Sequence, residues 1–351
     1  MPPEQPTMPS LLKKAGYGTT LLGKWHLGQL PNFSPLKSGY DHYWGFHGGA
    51  IDYFTHKSGT AAASPEDLWD GDSKVHEVGY MTDLLGDRAV RVIGDYAKAG
   101  QPFLLSLHFN APHWPWEGPM DEAESRRIRA LNDREGGSMK TYAEMVLRLD
   151  MQVGRVLKAL SDNNIANNTI VVFTSDNGGE RFADTWPFTG KKEELLEGGL
   201  RIPALVRWPG HIRAGSTTEQ VAMSMDWLPT FLAAAGAQAD PASPLDGISL
   251  LPQITQGAAP VSRRVYWRYH YNQQRAMRDG NMKYLKIADN EFLFNVADDP
   301  LERANLKQRQ PEVFQRMVQA WEEWNSTMLP DRSEEHTSEL QSHSFISYAV
   351  F

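Results

Sequence analysis

The sequence predicts an α/β fold: a central, mostly parallel sheet with helices on both faces, followed by a small α+β domain. Three observations lead there. Apolar runs of strand length alternate with amphipathic stretches of helical period as far as Ala235. That alternation is the signature of parallel strands whose connections cover both sides of a sheet. Beyond a Pro/Gly-rich passage at 241–260 the texture changes to close-set short strands and one terminal amphipathic stretch.

Each element has its own warrant. Residues 7–15 offer Thr7 as an N-cap, an early proline and Gly16 as a stop, which predicts a short helix feeding a strand over 19–24. Thr82 is a cap candidate for a helix in which Leu84, Leu85, Arg88, Ala89, Val92, Ile93 and Tyr96 share a face, ending near Gly100. A buried strand follows over 102–109. The polar, glycine-bearing stretch 117–140 predicts a long surface loop. Tyr142, Met145, Leu149, Val153, Val156 and Leu160 mark a longer helix, with an apolar strand after it over 168–174. Residues 202–208 are strand-like and 226–235 helical. Past a boundary near 258, residues 265–271, 274–277 and 283–285 read as antiparallel strands around the turn Asp279-Gly280, and Val313, Met317, Trp321 and Trp324 line a closing helix. The expected units are an α/β domain over 1–258 and a small antiparallel-sheet-and-helix domain over 259–331.

A chain of 351 residues, 41% hydrophobic and 22% charged, can bury a proper core. No apolar stretch is long enough to span a bilayer, and MPPEQPTMPS lacks the basic-then-apolar pattern of a signal peptide, so no membrane partner is expected and the sequence carries no address. The absence of cysteine excludes disulfides, thiolate metal sites and a cysteine nucleophile. A net charge of -8 without any basic run argues against nucleic acid. Nothing in the sequence sets an oligomeric state. From Arg332 the chain reads RSEEHTSELQSH and then SFISYAVF, which resembles a translated sequencing adapter, so 332–351 are expected to be artefactual or disordered.

In doubly wound sheets, ligand groups gather at the carboxyl ends of strands. Lys24 and His26 close the first strand, and if the chain stays extended there both point to one side. His113 follows the second strand in NAPHWPW. Asp176 and Asn177 end the third in FTSDNGG, and Lys192 lies in GKKEELLEGG ahead of the fourth. Each has a plain alternative: a surface lysine, a packed histidine, a turn, a solvated charged face. Together, two oxygen donors, two lysines and two histidines at neighbouring strand ends suit an anionic tetrahedral group held against a divalent cation.

These motifs resemble the type I sulfatases of the arylsulfatase group. GYGTTLLGKWHLG, GYDHYWGFHGGAIDYFTH, NAPHWP, FTSDNGG, GKK with LLEGGLRIP, and LFNVADDPLERANL occur in the family's order from about Pro2 to Trp324. The resemblance implies an alkaline-phosphatase-like core, bound Ca2+ and sulfate-ester hydrolysis in a periplasmic or secreted setting. It implies Asp176 and Asn177 as calcium ligands, and Lys24 and Lys192 on sulfate oxygens. His26 would assist breakdown of the enzyme–sulfate intermediate, and His113 would contact sulfate and help protonate the leaving oxygen. Lys192 is preferred to Lys191 because the family lysine sits five residues before the glutamate of EGG, here Glu197. Asn177, where zinc members of the superfamily carry histidine, favours calcium over zinc.

Two family features are missing: the Cys/Ser-x-Pro-Ser-Arg motif that yields the formylglycine nucleophile, and an earlier paired-aspartate strand. Thr7-Met8-Pro9-Ser10-Leu11 resembles the first only superficially and fits better the helix that precedes GKWHLG in the family. Met1 is therefore expected to be an internal start, and the fragment inactive, marginally folded and weak in calcium binding. The alternative is a non-catalytic protein that binds sulfated glycans through the same cationic pocket. Trp114, Trp116, Asp52, Tyr53 and His56 are open both to a sugar site and to ordinary packing.

Overall fold

A computed structural model describes residues 5–58, 64–128 and 136–330. The adapter-like tail lies outside the described residues, as do 129–135 of the expected surface loop. Helix α1 (Met8–Lys14) starts at Thr7, whose hydroxyl accepts the Ser10 N–H in a capping box. It leads into β1 (Gly18–Lys24), and β2 (His42–Phe46) follows after a long connection that includes a 3-10 turn at Pro35–Ser38. A tight hairpin, β3 (Trp69–Asp70) and β4 (Ser73–Lys74), precedes α2 (Met81–Ala99). Tyr80, rather than Thr82, stands at the N-cap of α2, because Thr82 already lies inside the first turn. Gly100 ends it in the left-handed conformation. Next come β5 (Phe103–His108), α3 (Glu122–Ile128), α4 (Met139–Asp162) capped by Ser138, and β6 (Val171–Thr174).

Among the described residues the central sheet runs β4-β3-β2-β1-β5. β1 pairs in parallel with both β2 and β5, and the hairpin adds an antiparallel edge, so the sheet is mixed. Alternation along the strands assigns the faces. Leu21 and Tyr43 turn towards α1, while Leu22, Trp44 and Phe46 pack against α2 and α4. Full burial of Leu21 and Leu22 contributes about 2 kcal/mol each.

The expected third and fourth parallel strands are arranged differently. β6 pairs antiparallel with β7 (Ala204–Arg207) in a separate ribbon, reached through the one-turn α5 (Glu197–Leu200). Between β5 and β6 lies a cavity of about 470 Å3, lined by consecutive residues of both strands (Phe103 to Leu105, Ile170 to Phe173) and by α4. Lining by consecutive residues means the two strands face the cavity edge-on, and no described strand pairs with those edges. The remaining helices before the second sheet are α6 (Trp227–Ala234), which shares a core with α1, and α7 (Leu251–Gln256).

The second sheet is antiparallel, in the order β11-β10-β9-β8, from β8 (Arg264–Tyr269), β9 (Gln274–Asp279), β10 (Met282–Ile287) and β11 (Asn290–Asn295). Helix α8 (Pro311–Ser326) covers one face through Met317 and Trp321. Leu195, Leu196 and Leu200 pack with Ala276, Leu285 and Phe294, which ties this sheet to the chain around α5. No described helix is long and apolar enough to cross a membrane.

Candidate active site

β1 ends at Lys24 because of what its neighbours demand. Gly23 sits at φ +104°, and a Cβ there would lie 1.9 Å from the His108 carbonyl oxygen, so only glycine lets β1 approach β5 this closely. Lys24 is half-buried at that end, and His108 Nδ1 lies 2.9 Å from its carbonyl oxygen. The extended geometry expected for Lys24 and His26 does not hold. The strand stops at Lys24, and His26 adopts φ +52°, so the extended backbone that would turn both side chains to one side is not continued. His26 is seated by other contacts: its N–H donates to His47 O, and its ring lies where a Cβ on Gly49 would be, 2.5 Å from Cε1.

His113, half-buried beyond the end of β5, meets Lys192 directly: Lys192 Nζ is 3.3 Å from His113 Nε2. His113 Nδ1 donates to Trp114 O at 2.7 Å, which fixes the tautomer and leaves Nε2 facing the lysine. Burial, then Lys192 and Lys24, push the imidazole down to about 3, so the ring is neutral near pH 7. Burial also pulls Lys24 below the ordinary lysine value, with Asp176 opposing and Lys192 reinforcing that shift. The geometry thus brings together Lys24, His113, Asp176 and Lys192 from four separate segments.

Asp176 is exposed at the end of β6, and Asn177 beside it donates from Nδ2 to Gly178 O. Lys192 also faces Glu180, with Nζ 3.4 Å from Oε2. Lys191 instead lines an open polar cavity with Glu180, Arg181, Thr185 and Glu194. The loop carrying Lys192 closes on the Asp176 loop through two backbone bonds, Lys192 N–H to Gly179 O and Gly178 N–H to Gly199 O, both 2.9 Å.

Calcium takes six to eight oxygen ligands. Asp176 and Asn177 provide the right donor chemistry and only part of that number, and no group of three or more His, Asp or Glu side chains among the described residues is placed to hold a metal.

The aromatic and acidic residues left open between sugar binding and packing are packed. Tyr53 and His56 are 0% and 1% exposed, Asp52 and Trp116 under a tenth. Tyr53 has a role that sequence reasoning missed: its hydroxyl donates to His113 O at 2.8 Å, and its N–H donates to Glu117 Oε2. Trp114, half-buried, lies against the His113 ring at 4.6 Å between centroids.

The chain is similar to known proteins along most of its length. The profile of the family described as sulfatase matches residues 1–237, and that described as N-sulphoglucosamine sulphohydrolase, C-terminal, matches residues 190–326. N-acetylgalactosamine-6-sulfatase of Homo sapiens is 33% identical over 284 residues, covering 76% of this chain and 52% of the relative. Arylsulfatase J of Mus musculus is 27% identical over 389 residues, covering 95% of this chain and 64% of the relative. The chain therefore spans about half to two-thirds of the length of these relatives. The crystal structure of Ps i-CgsB superposes with a TM-score of 0.84 at 30% identity, covering 97% of this chain and 78% of that one. A protein solved with its substrate D-glucosamine-2-N,6-O-disulfate shares the fold, with a TM-score of 0.71 at 21% identity and coverage of 92% and 82%. By the extent of the profile match and the order of its strand-end motifs, this chain belongs to the sulfatase family.

Proposed function

We propose that the chain carries the sulfate-binding part of a calcium-dependent sulfuric ester hydrolase acting on sulfate monoesters of a carbohydrate or aryl group. The observation that carries this is the meeting of Lys24, Lys192 and His113 at the carboxyl ends of the strands, beside Asp176. Two lysines facing one small volume repel each other, and an anion between them removes that cost. Lys24 and Lys192 each reach a sulfuryl oxygen and stabilise the negative charge that grows as the ester bond breaks. The anion also offsets the share of the lowering that Lys192 and Lys24 add to burial, so Nε2 gains basicity and can carry the proton taken up by the departing oxygen. His26 keeps the family role of assisting the later step, on resemblance alone.

Calcium, when bound, supplies further positive charge against the sulfate oxygens. Asp176 and Asn177 would contribute oxygens to its shell. Thr7 is committed to capping α1 and to Ser38 O, so it does not stand in for the formylglycine. We therefore expect little turnover from this chain by itself. The similarity to N-acetylgalactosamine-6-sulfatase and the k-i-k-neocarrahexaose bound to Ps i-CgsB support a sulfated glycan as substrate.

Calorimetry with inorganic sulfate, alongside an aryl sulfate turnover assay, tests this reading. The chain is expected to bind sulfate and lose it in Lys24→Ala and Lys192→Ala. Turnover should appear only when a preceding segment with a Cys/Ser-x-Pro-Ser-Arg motif is joined. Failure of the unaltered chain to bind sulfate overturns the proposal. Binding without turnover in the extended protein favours the glycan-binding alternative.

A further inference from the structure

A buried ion cluster in the antiparallel sheet reaches the candidate site without touching it. Lys283, on β10, is 0% exposed. Its Nζ donates to Glu197 Oε1 at 2.9 Å and lies 2.9 Å from Glu302 Oε1, while the Glu197 N–H donates to Glu302 Oε2 at 2.6 Å. Arg201 Nε stands 3.1 Å from the other Glu197 oxygen. Burying an ammonium costs several kcal/mol unless opposite charge surrounds it, and here two carboxylates do.

The segment 189–200, which carries both Glu197 and Lys192, is clasped between this sheet and the Asp176 loop. On the sheet side, Gln274 accepts the Leu195 N–H and donates to Glu193 O, both at 2.8 Å, and the Thr189 hydroxyl donates to Leu301 O. On the other side, Gly199 O accepts the Gly178 N–H and Gly179 O accepts the Lys192 N–H. A single residue, Gly198, therefore separates Glu197 from the contact at Gly199 that fixes the loop of Asp176 and Asn177.

We propose that Lys283 is a positioning residue: by pairing with Glu197 and Glu302 it sets where the 189–200 segment sits, and so where Lys192 and the Asp176–Asn177 loop stand. An apolar contact could hold the same layers together, but three charges paired in one arrangement select a single register. The functional meaning rests on Lys192 being a sulfate ligand, whereas the geometry does not.

Hydrogen exchange on the full chain tests it. In Lys283→Met, the amides of Gly178, Lys192 and Gly198 should exchange about tenfold faster or more, while those of β1 and β5 keep their rates. The triple variant Lys283→Met, Glu197→Gln, Glu302→Gln leaves no uncompensated charge in this triad, so it should fold where the single variant fails. It should still show fast exchange at Gly178 and Lys192. Unchanged exchange at these amides overturns the proposal. So does equal acceleration in β1 and β5, or a triple variant with wild-type rates. Affinity for inorganic sulfate should fall with the faster exchange. Absence of sulfate binding in the unaltered chain counts against the functional reading alone, since the exchange result stands without it.

Discussion

Lys192 Nζ points at the unprotonated nitrogen of His113 across 3.3 Å, a contact between residues that are 79 positions apart in the chain. The lysine is the largest charged influence holding the imidazole down to about 3, second to burial. Lys192→Ala should move the His113 titration towards its ordinary value of 6.5, and saturating sulfate should do the same in the unaltered chain. Nitrogen-detected NMR of the ring reads both. A midpoint that ignores both changes would mean the two side chains do not meet in solution.

Gly178 is held against α5 so closely that a Cβ would lie 1.9 Å from the Gly198 carbonyl oxygen. Gly178→Ala should destabilise the chain by about 2 kcal/mol or more and weaken sulfate binding through displacement of Lys192. Gly94, inside α2 with nothing within 4 Å of its would-be Cβ, is the control. Gly94→Ala should be neutral or stabilising by about 0.5 kcal/mol. Urea midpoints of the pair separate close approach from a general intolerance of substitution.

Glu117 is buried beside Asp52, and these two causes, in that order, push it up to about 8 from an ordinary 4.5. The native chain keeps this proton well above the pH at which the unfolded chain releases it. Stability should therefore fall as pH rises from about 4.5 through 8, with the loss complete beyond. Glu117→Gln retains an acceptor for the Tyr53 N–H and has no proton to lose. At pH 9 it should exceed the unaltered chain by several kcal/mol, and at pH 4 the two should converge. Denaturation at pH 4, 7 and 9 decides the matter.

Thr7 both caps α1 and donates to Ser38 O at 2.5 Å. Thr7→Ala should cost about 1 kcal/mol and Thr7→Ser much less, with sulfate affinity unchanged in either. A loss of sulfate binding larger than the loss of stability would give Thr7 a part in the site that its geometry denies.

Local physics made the strand ends legible. Apolar runs closing on Lys24 and Asp176 located two of the four converging groups, and proline-flanked His113 after a buried strand located a third. Contacts between distant segments were not legible. β2 was hidden in GYDHYWGFHGG because Gly45 interrupts its aromatic run, and its pairing with β1 and β3 makes it a strand. The turn at His26 was missed because a left-handed backbone at a non-glycine residue leaves no local signal. The helix α3 sits in a stretch whose charges read as loop, although its Arg126 and Arg127 pair with Glu122 and Glu124 at helical spacing. The antiparallel direction of β6 and β7 depends on how the segment between them folds back, which no periodicity records.

The hollow between β5 and β6 makes the molecule liable to stick to itself. Two strand edges that no described strand pairs with look onto a greasy recess, the combination that well-behaved proteins bury or guard with charge. Purified material should be most tractable when dilute, and loss to aggregates on concentration should begin at this spot before any other.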